Sequence, residues 1–233
     1  AEKLGVNMKL LIDDANIENI KYLYEYFPVS GVTTNPSILF KNKKDPIETL
    51  IEIREFIGDD QLHIQVLSES ADNIVKEARL LKEKFGENTF IKVPTNKEGL
   101  KAMRLLKNEN IKITATAIYS PTQAFLASLA CADYLAPYVN RIDNLGYDGI
   151  ETTIKIQNIL DETNPDAKVL AASFKNTNQV LKLAEYGIDT ATCSYEVFEK
   201  FIDDSNINKA VDAFVNDFKS INESKISWID YLK

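Results

Sequence analysis

The chain from Lys9 onward alternates short apolar runs with longer stretches in which apolar and polar residues are mixed. The short runs are rich in β-branched residues and have the length of buried strands, whereas the longer stretches repeat their apolar residues at helical spacing. Strands that alternate with helices in this way pair in parallel through crossover connections. We count eight such units, with predicted strands at residues 9–13, 31–34, 62–67, 90–93, 112–118, 134–139, 169–173 and 190–193.

No segment rich in Pro, Gly or Ser divides the chain, and its composition does not shift along its length. We therefore predict a single α/β domain over residues 8–233, an eight-stranded parallel (β/α)8 barrel of the TIM type with an extra C-terminal helix. Residues 1–7 precede Met8 and are interpreted as a lead segment or a remnant of expression.

Helical periodicity is clearest in residues 71–85 and 98–109, and the apolar side of the second stretch is predicted to be Leu100, Met103, Leu105 and Leu106. After the eighth unit, residues 208–218 predict one further amphipathic helix, which would cap the barrel or dock on a neighbouring subunit. Its apolar face includes Ala210, Val211, Phe214 and Phe218.

Composition restricts the class of partner. The net charge is -8, and nucleic-acid binders usually present a basic face, so we predict no nucleic-acid partner. No apolar run reaches the roughly 18 residues that cross a bilayer, and the N-terminal residues lack the order of a secretion signal, so we expect no membrane partner and a cytoplasmic location. Cys131 and Cys193 lie too far apart for a disulfide framework and are interpreted as reduced core residues.

The candidate chemistry centres on Lys92. In a barrel of this type the active site lies at the carboxyl ends of the strands. Because side chains alternate along a strand, β-branched Ile91 and Val93 would face the helices and Lys92 the barrel axis, near that end. Burial would lower the pKa of the amine and make it nucleophilic towards carbonyls. A buried structural ion pair and a strand shifted in register, with Lys92 facing solvent, remain alternatives.

The same alternation brings further polar side chains to the mouth of the barrel. A carboxylate, two amides, hydroxyls and a phenol around one amine suit proton transfer next to a carbonyl. Each of them taken singly is also consistent with a structural hydrogen-bonding role. These side chains are Asp13, Asn35, Gln65, Thr116, Tyr138 and Ser173.

Other chemistries have less support. His63 is the only histidine, so it would have to serve any histidine-based triad or multi-histidine metal site, and we interpret it as a hydrogen-bonded core residue instead. Neither a G-x-G-x-x-G nor a Walker-type loop occurs in the sequence, which removes the usual cradle for dinucleotides and nucleoside triphosphates.

Five separated segments, in matching order and spacing, resemble the transaldolase family. They are residues 11–13, 31–37, 91–94 with 98–100, 136–143 and 170–175. Within that family the chain is similar to the small fructose-6-phosphate aldolases. It has Gln65 and Tyr138 at positions where transaldolases usually have glutamate and phenylalanine, and both residues favour the aldolase subgroup. The resemblance implies a barrel without cofactor or metal that acts on small sugar phosphates, ketones and aldehydes. It also implies a homo-oligomer, a decamer or pentamer, although the residues after Phe218 depart from the family pattern.

The resemblance implies a class I aldolase that cleaves fructose 6-phosphate to dihydroxyacetone and glyceraldehyde 3-phosphate. Lys92 would form the Schiff base, Asp13 would accept the proton of the C4 hydroxyl, and Tyr138 would supply the releasing proton. The expected supporting residues are Gln65 and Thr116 for a water, Asn35 and Thr33 for substrate hydroxyls, and Arg141, Ser173 and Lys175 for the phosphate.

Three alternatives stay open at this point. A transaldolase would keep the enamine until a second aldehyde arrived, and a non-catalytic barrel would bind sugar phosphates without a covalent adduct. Arg141 would instead be structural if it paired with Asp143 or another carboxylate nearby. The sequence does not identify the physiological donor and acceptor.

Overall fold

Eight parallel strands form a closed barrel, in chain order, in the computed structural model of the protein, which describes residues 8–232. This confirms the predicted fold. Residues 1–7, and their interpretation as a lead segment, lie outside the described residues. Each strand pairs with the next, and β8 pairs with β1. The strands are β1 Lys9–Asp13, β2 Val29–Thr33, β3 Gln61–Gln65, β4 Thr89–Pro94, β5 Ile113–Ile118, β6 Tyr134–Pro137, β7 Lys168–Ala171 and β8 Thr190–Cys193.

Helices connect the strands and follow the last of them. Asparagine, aspartate or serine precedes most of the longer helices and accepts hydrogen bonds from their first amides, which fixes where they begin. The helices are α1 Ile17–Tyr26, α2 Pro36–Asn42, α3 Pro46–Ile57, α4 Ala71–Phe85, α5 Lys97–Lys107, α6 Pro121–Leu129, α7 Val139–Asn144, α8 Gly149–Thr163, α9 Thr177–Tyr186, α10 Tyr195–Glu199, α11 Ser205–Ile221 and α12 Trp228–Leu232.

Two layers of apolar side chains fill the barrel unit. Outside the strands, Ile91 and Val93 of β4 are fully buried in one cluster with Met103 and Leu106 of α5. Inside the barrel, a smaller cluster consists of Leu11, Phe90, Tyr134, Ala136 and Leu170. The alternation predicted for β4 is therefore confirmed.

The apolar side of α5 is narrower than predicted. Leu105 is 42 % exposed, whereas Met103 and Leu106 are buried. The reason is helical geometry, since Leu105 lies about 200° around the helix from Met103 and faces away from β4.

Contacts divide the chain into two compact units. One ends at Phe198 and contains the whole barrel, and the other begins at Glu199 and contains α11 and α12. The single domain expected over residues 8–233 stays a prediction. Within the second unit, the ring of Phe218 lies 5.1 Å from that of Trp228 and 5.5 Å from that of Tyr231. The other large apolar side chains of α11 are exposed, with Phe214 at 71 %.

Four strands end one or two residues earlier than predicted, and among them β2 ends at Thr33 and β6 at Pro137. β3 ends at Gln65, and Leu67, which we placed in the strand, is 73 % exposed. β7 ends at Ala171, before Ser173, whose φ of 63° is left-handed and incompatible with a strand. No helix within residues 8–232 is long and apolar enough to cross a membrane.

Candidate active site

A cavity of about 200 Å³ opens among the carboxyl ends of the strands, where barrels of this type place their active sites. Seven of the ten residues that we predicted for catalysis or substrate binding line it. They come from β1, β2 and β4 and from the segments that follow β2, β6 and β7. These residues are Asp13, Thr33, Asn35, Lys92, Tyr138, Arg141 and Ser173.

Lys92 projects into this cavity from β4 and is only 6 % exposed. Its Nζ donates a hydrogen bond of 2.8 Å to the backbone carbonyl oxygen of Thr34. None of the ion pairs among residues 8–232 includes Lys92. The structure therefore agrees with neither alternative for this lysine, a side chain turned to solvent or a buried ion pair.

The end of β4 is held close to α5 by a glycine. A Cβ atom added at Gly99 would lie 1.8 Å from the carbonyl oxygen of Pro94, so only glycine allows this approach. Asn96 begins α5 by accepting a hydrogen bond of 2.8 Å from the amide of Gly99. The segment after Lys92 thus turns directly into the helix that covers the strand.

Burial has the largest effect on the pKa of the Lys92 amine. It lowers the pKa of Lys92 below the usual lysine value, the Asp13 carboxylate opposes this shift, and the Arg141 guanidinium adds to it. A lower pKa increases the fraction of neutral, nucleophilic amine near neutral pH.

Asp13 lies at the end of a short chain of hydroxyl groups. The Thr33 hydroxyl donates to Oδ1 of Asp13 at 2.7 Å and lies 2.7 Å from the Thr192 hydroxyl. Because Thr33 has one proton to give, Thr192 must donate to Thr33. Burial raises the pKa of Asp13, while the Lys92 ammonium and the Thr33 hydrogen bond oppose that rise. A carboxyl group in this position can accept a proton and return it.

Tyr138 and Thr116 form the second proton-bearing pair. Their hydroxyl oxygens lie 2.6 Å apart, and Thr116 is fully buried in β5, two residues before the strand ends. Thr116 therefore joins the site through Tyr138. The Tyr138 ring also contacts Tyr119, at 5.5 Å between centroids, and the Arg141 guanidinium lies 4.7 Å from its centre.

Arg141 projects from α7 and is exposed at the mouth of the cavity. Its Nη1 donates to the Tyr119 hydroxyl at 3.5 Å, which raises the pKa of Arg141 and keeps it cationic. Asp143 does not pair with it. Both Asp143 oxygens accept other bonds, at 2.7 Å from the Gly149 amide and 2.7 Å from the Gln179 side chain. A fork of donors at a cavity mouth is suited to binding phosphate.

Ser173 reaches the cavity for a reason other than the one we predicted. Alternation along β7 was expected to turn it inward, but Leu170 is the residue of β7 that lies in the inner cluster. Ser173 lines the cavity because β7 has ended and its own backbone is left-handed. Its carbonyl accepts a hydrogen bond of 2.7 Å from Asn140, next to Arg141.

Asn35 both caps helix α2 and lines the cavity. Its Oδ1 begins α2 by accepting a hydrogen bond of 3.0 Å from the amide of Ile38. The residue also lines the cavity, and its amide nitrogen can donate to a ligand.

The structure places two predicted residues elsewhere. Gln65 pairs with Lys92 across the β3–β4 ladder, but it lines a separate, largely apolar groove beside α3 and α4. Lys175 is exposed beyond the end of β7, and its backbone amide donates to the Gln179 side chain at 2.7 Å. Their proposed roles remain predictions.

Three polar residues of the cavity wall were not predicted, namely Thr192, Ser37 and Lys41. Thr192 could have been found, because alternation along β8 gives it the same orientation as Thr190. Ser37 and Lys41 lie on α2, and no strand pattern extends to a helix that only folds over the mouth.

His63 is a fully buried core residue, as predicted. Its two ring nitrogens lie 2.8 Å from the Thr114 hydroxyl and 3.2 Å from Oε1 of Gln61, and its ring stacks on Phe90. Burial lowers its pKa. No group of three or more His, Cys, Asp or Glu side chains within residues 8–232 could hold a metal ion.

The cysteines are both free, but they differ in burial. Cys193 is buried, as expected for a core residue. Cys131 is partly exposed, which corrects the prediction for that position. It follows α6 with a φ of 66°, so it lies in a turn and not in a packed element.

Comparison with known proteins gives two findings. The family model described as transaldolase/fructose-6-phosphate aldolase matches residues 10–230. A protein of Streptococcus pneumoniae named probable fructose-6-phosphate aldolase is 39 % identical over 220 residues, which cover 94 % of this chain and 99 % of that protein.

Proposed function

Because this chain belongs to the transaldolase/fructose-6-phosphate aldolase family, we propose that it is a class I aldolase. It cleaves fructose 6-phosphate to dihydroxyacetone and glyceraldehyde 3-phosphate and catalyses the reverse condensation. The observation that carries this proposal is the position of Lys92, a buried lysine with a lowered pKa that faces a polar cavity at the barrel mouth. The name of the pneumococcal relative supports the same reaction.

The reaction begins at Lys92. Its neutral amine adds to the ketone C2, and loss of water gives an iminium whose positive charge can take up electrons. The Asp13 carboxylate then accepts the proton of the C4 hydroxyl, the bond between C3 and C4 breaks, and its electrons move to the iminium. Glyceraldehyde 3-phosphate leaves, and an enamine of dihydroxyacetone remains on Lys92.

Release of dihydroxyacetone needs a proton on C3 of the enamine. Tyr138 supplies it, directly or through a water that Thr116 and Gln65 help to hold, and the iminium that results is hydrolysed. The short hydrogen bond between Tyr138 and Thr116 supports this role, because it orients the phenol at the cavity wall. A proton donor at Tyr138 favours the aldolase over a transaldolase, because in a transaldolase the enamine must wait for a second aldehyde.

Substrate groups meet the remaining side chains of the cavity. Arg141 and Ser173 bind the phosphate, with Lys175 adding charge outside the strand, and Asn35 and Thr33 orient hydroxyl groups. The cavity that holds Arg141, Asn35 and Thr33 together with Lys92 supports this assignment.

Reduction with borohydride tests the proposal, since it makes a Schiff base permanent. In the presence of dihydroxyacetone or fructose 6-phosphate, we expect a donor-derived mass on the peptide that contains Lys92. Lys92→Met should abolish the adduct. Lys112→Met should keep it, because Lys112 lies beside Phe90 at the opposite end of the barrel interior, with Nζ 2.7 Å from Asn88. An adduct found only on another lysine would contradict the proposal.

We also propose that the protein is a homo-oligomer in which α11 packs on a neighbouring subunit. Five large apolar side chains of α11, at positions 207, 211, 214, 215 and 221, are each more than 40 % exposed. A contiguous apolar face of this kind is typical of a subunit interface.

A further inference from the structure

A second cavity of about 390 Å³ lies beside the catalytic cavity and is nearly twice its volume of about 200 Å³. Asp13, Ile38 and Lys41 line both cavities, so the two meet at the proposed catalytic carboxylate. The other lining residues are all polar. They are Asp14, Asn16, Asn19, Asn42, Ser194 and Glu196.

The walls of the second cavity come from the carboxyl ends of β8 and β1 and from α2, which follows β2. These three strands are adjacent in the barrel. The cavity therefore opens at the mouth from which a substrate enters. Arg141 and Ser173, which follow β6 and β7, line only the catalytic cavity.

The three asparagines of this cavity each use one end of the amide to hold the fold. Oδ1 of Asn16 accepts from the amides of Glu18 and Asn19 at the start of α1. Nδ2 of Asn19 donates to Asp14 at 2.8 Å, and Nδ2 of Asn42 donates to Thr49 at 3.2 Å.

These bonds fix the orientation of the amides. The opposite ends of the three amides take part in none of the hydrogen bonds found among the described residues. These atoms are Nδ2 of Asn16, Oδ1 of Asn19 and Oδ1 of Asn42. The cavity therefore presents both donors and acceptors held in place.

Charge restricts what the second cavity can bind. Asp13, Asp14 and Glu196 supply carboxyl groups and Lys41 the only cation among its lining residues, so a phosphate would be repelled there and attracted to Arg141. These carboxyl groups are not arranged to hold a metal ion, because residues 8–232 contain no cluster of three or more His, Cys, Asp or Glu side chains that could do so. A hydroxyl group both donates and accepts a hydrogen bond, so a chain of hydroxyls matches this lining.

We propose that the second cavity is an acceptor subsite for the uncharged, polyhydroxylated tail of an aldehyde with four or more carbons. This inference rests on the proposed aldolase function, because Asp13 then lies at C4, the carbon that the acceptor aldehyde contributes to the new bond. From Asp13 the remaining acceptor carbons can extend towards Arg141 when they carry phosphate, or into the second cavity when they carry only hydroxyls.

The test compares acceptors in condensation with dihydroxyacetone. Erythrose carries a terminal hydroxyl, its 4-deoxy analogue lacks that group, and glyceraldehyde 3-phosphate serves as the reference for the phosphate path. We expect the wild-type protein to use erythrose with a kcat/KM about threefold to tenfold above that of the deoxy analogue, the factor that one or two hydrogen bonds provide.

Two variants change the subsite by different means. Ser194→Leu fills part of the cavity, while the backbone carbonyl of Ser194 still accepts the bonds that begin α10. Glu196→Leu removes a polar group from the exposed rim. Each should lower the ratio of kcat/KM for erythrose to that for glyceraldehyde 3-phosphate about threefold to tenfold. Glu185→Leu is the matched control, because Glu185 is exposed on α9 and lines neither cavity.

The outcomes separate the subsite from the proposed function. Two results would overturn the subsite and leave the aldolase intact, provided that the protein turns over glyceraldehyde 3-phosphate. One is equal kcat/KM for erythrose and its deoxy analogue. The other is a ratio of kcat/KM for erythrose to that for glyceraldehyde 3-phosphate that is the same in the two subsite variants as in Glu185→Leu. No turnover of any acceptor, together with no borohydride adduct on Lys92, would overturn the aldolase and the subsite with it.

Discussion

The amine of Lys92 donates a hydrogen bond of 2.8 Å to the carbonyl oxygen of Thr34 and is thereby tied to the end of β2. A neutral amine that donates one proton in this way keeps its lone pair for attack on a carbonyl carbon. The same segment continues into Asn35, which also lines the cavity. In the proposed reaction, the backbone of Thr34 would thus position the nucleophile, and the adjacent side chain of Asn35 would orient the substrate.

The first prediction concerns the pH dependence of adduct formation. The Asp13 carboxylate holds the pKa of Lys92 up against the effect of burial. In Asp13→Asn this opposition is lost, so the pKa of Lys92 falls further. The amine reacts when neutral, above its pKa, so the midpoint of the pH dependence should move to lower pH. C–C bond cleavage should slow by about 10²-fold or more, since the base is gone.

Mass spectrometry of the borohydride-trapped protein across pH measures this midpoint. Asp14→Asn is the control, because it removes a neighbouring carboxylate that does not contribute to the pKa shift of Lys92. A midpoint that stays at its wild-type position in Asp13→Asn, or moves to higher pH, would show that the Asp13 carboxylate does not hold the pKa of Lys92 up.

How far the sequence predicts the site depends on the type of element. Lys92, Thr116 and Tyr138 follow from alternation along strands or directly past their ends, a local rule that the barrel preserves. Ser173 lies at the cavity through a left-handed backbone that alternation does not describe. Lys41 could not be predicted, because its position depends on how α2 folds over the mouth, which is a tertiary property.

The second prediction concerns the phosphate. Arg141→Ala should raise KM for glyceraldehyde 3-phosphate about tenfold or more, because a charge-assisted contact is lost. KM for unphosphorylated glyceraldehyde should change much less. Steady-state kinetics with both aldehydes measures the difference, and Arg104→Ala is a matched control, since Arg104 lies on α5 away from the catalytic cavity. Equal effects on both acceptors would make Arg141 a structural residue.

The third prediction concerns metal removal. Exhaustive chelation should leave aldolase activity intact, because in the proposed mechanism the iminium on Lys92 takes up the electrons that a metal ion would otherwise stabilise. The measurement is cleavage of fructose 6-phosphate before and after dialysis against a chelator. Activity that is lost on dialysis and returns with zinc would reject the Schiff base as the sole electron acceptor.

The fourth prediction concerns assembly. Phe214 is 71 % exposed on α11, so Phe214→Asp should place a charge in the proposed subunit interface and lower the molar mass in solution. Asn216→Asp adds the same charge on the opposite side of α11, about 200° away, and should leave the mass unchanged. Light scattering coupled to gel filtration measures both. An unchanged mass for Phe214→Asp would remove this helix face from the interface.

The last prediction separates aldolase from transaldolase at Tyr138. Tyr138→Phe keeps the ring but removes the phenol that would protonate the enamine, and general acid catalysis of this kind contributes about 10² to 10⁴ in rate. The variant also leaves the buried Thr116 hydroxyl without its bond of 2.6 Å, which should lower the free energy of unfolding by about 1 kcal/mol and still permit folding.

Formation of the borohydride-trappable adduct on Lys92 should then continue, while release of dihydroxyacetone slows. The enamine persists and becomes available to an added acceptor such as erythrose 4-phosphate, so transfer takes a larger share of turnover. The measurement is free dihydroxyacetone against sedoheptulose 7-phosphate in one reaction. Tyr147→Phe is the control, because Tyr147 is 70 % exposed and is not among the residues that line the cavity within the described chain. If Tyr138 only packs against Arg141, the substitution should change the free energy of unfolding and leave the ratio of free dihydroxyacetone to sedoheptulose 7-phosphate as it is in the wild type. That result would exclude Tyr138 from protonation of the enamine.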